Sequence, residues 1–194
     1  MNIKKTADLL INFAIKRLAE ILGIIIFIAG IMLLFSLASY SPEDPNFIFP
    51  DGTKIKNLLG FNGSFISDLF FQSIGLIAYL LSFTFIITGF NIFKGKEFFL
   101  IIENTFFTII YCLFGTLFFT HFHHKGFVLY INGNGGFVGA TLKEKIYYFS
   151  PLIENQYVIY CLVLITAVFF ILSLGIKSGE IIKILLLPIN IIKG

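Results

Sequence analysis

The sequence predicts an all-α membrane protein: a bundle of four transmembrane helices with short interfacial helices and both termini cytoplasmic. Three observations carry that expectation. Of the 194 residues, 57% are hydrophobic and only 13% charged, against about 25% charged in a soluble domain. Mean hydropathy is +0.93, so the chain has too little polar surface to cover a core in water. Finally, the apolar residues fall into four uncharged runs, 21–42, 69–93, 104–120 and 155–176, and about 20 helical residues span the hydrocarbon.

The first run follows a basic segment in which Lys5, Asp8, Asn12 and Lys16 recur at helical spacing opposite Ala7, Leu10, Ile11, Ala14 and Leu18. That pattern suits an amphipathic helix over 1–18 lying in the membrane interface, with a longer first helix as the alternative. A secretory signal is disfavoured because the basic segment is long and itself amphipathic, although Ser36-Leu37-Ala38 offers a small-residue cleavage site. The four-span domain is then expected over 19–176, with spans at about 19–40, 69–93, 104–122 and 157–176. Residues 177–194 read as the juxtamembrane start of a cytoplasmic linker.

Orientation follows from the basic residues. Lys4, Lys5, Lys16, Arg17, Lys94, Lys96, Lys177, Lys183 and Lys193 fall on one side, and Lys54, Lys56, Lys125, Lys143 and Lys145 on the other. The richer side, which carries both termini, is expected to be cytoplasmic. The net charge of +3 favours anionic lipid over nucleic acid, since no soluble basic face accompanies it.

After the first span, Pro42 and Pro45 stop the helix and bias Ser41 and Asp44 away from helical geometry. Tyr40 reads as an interfacial aromatic, and Glu43 and Asp44 are expected in water. Small residues recur every seven positions, Gly23 and Gly30 in the first run and Gly75, Ser82 and Gly89 in the second, a stripe for close helix packing. Between the last two runs, Val138, Leu142, Ile146 and Phe149 share one side of a helix over 137–149 and Lys143 and Glu144 the other. This helix should lie on the membrane or on the bundle.

Signals of chemistry are weak. Glu20, Asp68 and Glu103 sit at span ends, which disfavours a pump or ion-coupled carrier. His121, His123 and His124 have no Cys, Asp or Glu at ligand spacing, so no metal is expected. The run from Gly133 to Gly139 has Val138 where a phosphate-binding fingerprint needs glycine, and Gly95-Lys96 is followed by Glu97, so neither nucleotide motif is present. Cys112 and Cys161 lie at different depths and read as buried free thiols. No catalytic residue and no cofactor are expected.

Three motifs carry a resemblance. Tyr40-Ser41-Pro42-Glu43-Asp44-Pro45 resembles the S-Y-x-P-x-D-P signature of the four-helix membrane domain that opens FtsK/SpoIIIE-type DNA translocases. Asn57-x-x-Gly60-x-x-Gly63-Ser64-x-x-x-Asp68 is similar to that family's N-x-x-G-x-x-G-A-x-x-x-D, with Ser64 in place of the usual alanine. Gly135-Gly136-x-x-Gly139 matches a third element, and the likeness runs roughly over 17–194. It implies an anchor in the bacterial inner membrane at the division septum. The anchor would be homo-oligomeric, hexameric by the family's habit, and would touch other cell-division membrane proteins. DNA and ATP would be handled by a motor that is not in this chain. The corner around Asp44 and the loop around Gly136 are the expected partner surfaces. A small multi-pass channel or carrier, or a structural membrane protein of unknown partner, is the alternative.

Overall fold

The computed structural model describes residues 3–45, 54–95, 98–121 and 132–175. Six helices follow one another: α1 (Ile3–Ala38), α2 (Gly60–Ile74), α3 (Ala78–Phe93), α4 (Phe98–Phe119), α5 (Gly136–Phe149) and α6 (Gln156–Ser173). Short 3₁₀ turns at Gly75–Ile77 and Pro151–Glu154 connect α2 to α3 and lead into α6. Four stretches are long and apolar enough to cross a membrane: Asp8–Ala38, Gly60–Phe93 through the turn, Ile101–Phe119 and Gln156–Ser173.

Two expected boundaries shift. α1 is one helix of 36 residues, about 54 Å at 1.5 Å per residue, with no break at residue 18. Nothing in the sequence before Gly23 ends a helix, and an Arg17–Glu20 ion pair bridges the expected boundary. The second span, expected to be a single helix from residue 69, starts at Gly60 and breaks at Gly75. There φ is +64° and ψ −146°, a region that costs a side chain dearly and suits glycine.

The packing stripe joins α1 to α3. A Cβ on Gly23 would stand 2.6 Å from the Phe93 nitrogen, one on Gly30 2.7 Å from the Ile86 nitrogen, and one on Gly89 2.7 Å from the Gly23 carbonyl. Backbone therefore meets backbone, the close approach that small residues give helices in lipid. Ser82 is buried and donates to the Tyr79 carbonyl at 2.7 Å. Gly75 stands apart from this stripe, because it forms the break.

Two helix pairs result, α1 along α3 and α4 along α6, and α3 meets α4 and α6 only narrowly. Leu33, Leu37, Phe71 and Ala78 form the core of the first half, with Tyr40 and Tyr79 against it. Leu117, Ile153 and Leu162 form the core of the second, with Leu142, Ile146 and Val158 against it. Among the described residues few polar contacts cross between the pairs: Thr84 Oγ1 lies 2.8 Å from the Tyr111 hydroxyl and 3.5 Å from Ser173 Oγ, and Asn91 Nδ2 donates to the Leu174 carbonyl at 3.1 Å.

Cys112 is half-buried, whereas Cys161, expected to be buried, is exposed on the outside of α6. Apolar periodicity is too weak on a helix surrounded by lipid to choose its inner face. His123, His124 and residues 177–194 lie outside the described residues.

Candidate functional site

The three sequence motifs converge at one end of the bundle and build a cap. Asp44, expected in water, is 1% exposed. Its carboxylate accepts from the Lys56 backbone N–H at 2.9 Å and from the Asn57 N–H at 2.8 Å. Two amides leaving an irregular segment need acceptors once buried, and a carboxylate supplies both with charge-assisted bonds. Beside it Glu43 and Lys56 form an exposed ion pair. The Lys56 hydrogen bond, and then its charge, hold the Glu43 carboxyl below the usual carboxylate range. Any support from Glu43 is therefore fully present above that range and lost as the pH falls below it through the lowered value; an exposed pair contributes little.

From this carboxylate the network runs inward. Asn57 Nδ2 donates to the Ser36 carbonyl at 2.9 Å, and its Oδ1 accepts from the Leu59 N–H at 3.0 Å. The Ser36 hydroxyl donates to the Gly63 carbonyl. A Cβ on Gly63 would collide with Asn57 Oδ1, so the glycine makes room for the asparagine. Gly60 opens α2 with φ +65°. Ser64 donates to the Pro45 carbonyl at 2.9 Å, a bond that the usual alanine could not make. The Tyr40 hydroxyl donates to Asp68 Oδ1 at 3.2 Å, and its ring meets Phe71 edge-on at 4.9 Å. Pro42 begins the turn that the Asp44 N–H closes onto the Ser41 carbonyl at 3.2 Å. Tyr40, Pro42, Asp44, Pro45, Asn57, Gly60, Gly63 and Asp68 thus belong to one corner joining α1 to α2.

The third motif locks onto the break between α2 and α3. The Leu76 N–H donates to the Asn134 carbonyl at 2.9 Å, and Asn132 Nδ2 reaches the carbonyl and Oε1 of Gln72, each at 3.2 Å. Gly136 has φ +64°, and a Cβ there would sit 2.6 Å from the Gly75 nitrogen. On the other side Gly135 and Gly139 press against α4: a Cβ on Gly139 would lie 2.5 Å from the Thr116 carbonyl. The glycines let α5 touch α2 and α4 together.

Two expectations about this end are corrected. Asp44, expected in water, is buried, as is Gly136, while Glu43, Lys56 and Phe137 beside them are exposed. On α5, Leu142 and Ile146 pack inward, but Phe149 is 85% exposed. Lys143 is half-buried, 3.4 Å from Glu154, because the Pro151–Glu154 turn brings that carboxylate back beneath the helix. Sequence reasoning missed Ser36, Asn132 and Ser39, whose Oγ accepts from the Leu58 N–H at 3.0 Å; small polar residues at span ends were the signal, but their partners lie far off in the chain.

The remaining polar features gather no chemistry. His121 Nδ1 is 3.0 Å from the Leu117 carbonyl, and among the described residues no group of three or more His, Cys, Asp and Glu is placed to hold a metal ion. A cleft of about 410 Å³ beside α5 is lined by Thr120, Asn134, Lys143, Glu144, Tyr147 and Glu154, with Lys143 paired to Glu154.

Four apolar stretches, a glycine-packed helix pair and a hydrogen-bonded cap define a multi-pass membrane domain. Residues 15–185 match the family described as the 4TM region of DNA translocase FtsK/SpoIIIE, and the chain belongs to that family. It is 31% identical over 174 residues to a DNA translocase FtsK of Rickettsia bellii, covering 87% of this chain and 21% of that protein. To the DNA translocase FtsK of Azospirillum brasilense it is 32% identical over 87 residues, 44% of this chain and 14% of the relative. To that of Caulobacter vibrioides it is 35% identical over 71 residues, 37% and 9%. The chain thus spans about a fifth or less of these relatives. No solved structure matches it.

Proposed function

We propose that this chain is the membrane anchor and septal-assembly domain of an FtsK-like DNA translocase. It holds the translocase in the inner membrane at the division site and so links cell division to chromosome segregation. Both termini face the cytoplasm, the cap faces the opposite compartment, and several copies assemble, six by the family's habit, beside other division proteins. DNA and ATP belong to a motor outside this chain. The observation that carries the reading is the family match over residues 15–185. The interior supports it: Ser36, Ser64, Ser67 and Thr166 donate to backbone carbonyls and the Tyr111 hydroxyl meets that of Thr84, as packing requires and a conducting path does not.

A fluorescent fusion of residues 1–194, in cells that keep their own translocase, is expected to collect at midcell in constricting cells. Uniform membrane fluorescence, with the fusion intact and inserted, would contradict autonomous septal targeting.

A further inference from the structure

The surface where α5 ends and α6 begins is aromatic, and the cap does not use it. Tyr148 and Phe149 are each 85% exposed, Leu152 is 68% and Tyr157 78%. We propose that the end of α5 and the Pro151–Glu154 turn form an interfacial wedge that inserts into the headgroups and upper acyl chains of the surrounding lipid leaflet. The inference rests on α6 being a span and is independent of septal targeting.

Three observations point to lipid as the occupant. The patch is continuous with the outer face of α6, where Tyr157, Tyr160 and Leu164 are exposed in succession on a helix that crosses the membrane. Its depth is fixed, because Ile153 is buried in one cluster with Leu117 and Leu162. Leu162 is the seventh residue of α6, about 9 Å along its axis at 1.5 Å per residue. The turn therefore dips back beside the span. Its composition suits an interface: tyrosine hydroxyls and the exposed Lys145 can reach headgroups while the Phe149 ring and Leu152 enter the acyl region. Leu142 and Ile146 against the core, and Lys143 against Glu154, hold the wedge in that attitude.

The chain contains no tryptophan, so one introduced indole reports its own surroundings. The full chain carrying Phe149→Trp would be reconstituted into phosphatidylcholine vesicles brominated at defined acyl depths, with Glu144→Trp as the water-facing reference and Leu164→Trp as the lipid-facing one. Phe149→Trp is expected to emit to the blue of Glu144→Trp. It should be quenched most by bromine high on the chains, whereas Leu164→Trp is quenched by deeper bromine. Emission like that of Glu144→Trp, without quenching, would put the patch in water and overturn the proposal. Blue-shifted emission that no brominated lipid quenches would mean that protein, such as a second copy, covers the patch, and would overturn it equally. Failure of Leu164→Trp to be quenched would remove the spanning α6 on which the wedge depends, leaving septal targeting to its own test.

Discussion

Gly75→Ala is expected to unlatch the cap. Its φ of +64° with ψ −146° strains any side chain, and the new methyl would strike the Asn134 carbonyl and lie 2.7 Å from the Gly135 carbonyl carbon. Those atoms are backbone and cannot swing aside. Strain and overpacking together amount to about 4 kcal/mol, read as a lowered unfolding midpoint in detergent or nanodiscs. Gly136→Ala strikes the same junction from the other side, 2.6 Å from the Gly75 nitrogen. The double variant should therefore lose less than the two singles combined, as expected when both break one contact. Additive losses would show that the two glycines serve separate purposes.

Asp44→Ala is the second large effect. It leaves the Lys56 and Asn57 amides without their acceptor inside the corner, a cost of about 3 kcal/mol, since bonds to a charged group are among the strong ones and unmet buried donors are penalised. Asp44→Asn keeps one acceptor oxygen and is expected to lose about half as much. Unfolding midpoints for the pair, with Glu43→Gln as an exposed control that stays near wild type, provide the check. Equal and negligible effects of all three would return Asp44 to the solvent-facing role that its sequence neighbours suggest.

What could be read in advance follows from how far each signal reaches along the chain. Hydropathy is local, so the apolar spans were legible, as was α5 from its four-residue apolar spacing. The pairing of Gly23 with Gly89 was half legible: small residues at seven-residue spacing announced a packing face but not its partner. Gly75 misled for the same reason, because its spacing to Ser82 and Gly89 fits the stripe while its backbone makes a break. Nothing in hydropathy falls between 69 and 93 to mark that break.

The cap was legible only as a set of motifs. Asp44 bonds to residues 12 and 13 positions away, Asn57 to one 21 away and Tyr40 to one 28 away. A carboxylate beside prolines reads as solvated until those partners are in place. The family likeness singled out these residues, and the fold shows that they hold one another. Lys143 and Phe149 were misplaced because the Pro151–Glu154 turn, invisible to helical periodicity, brings Glu154 beneath α5 and leaves the end of that helix outside.

The cap joins two helix pairs that otherwise meet narrowly. The most direct measurement is the distance between spin labels on the two pairs, one at Phe83→Cys on α3 and one on the native, exposed Cys161 of α6, with Cys112 replaced by alanine. Wild-type background in nanodiscs should give one narrow distance distribution, and the Gly75→Ala background a broad or displaced one with helical content unchanged. The same narrow distribution in both backgrounds would contradict the claim and place the union of the two pairs in the span contacts alone.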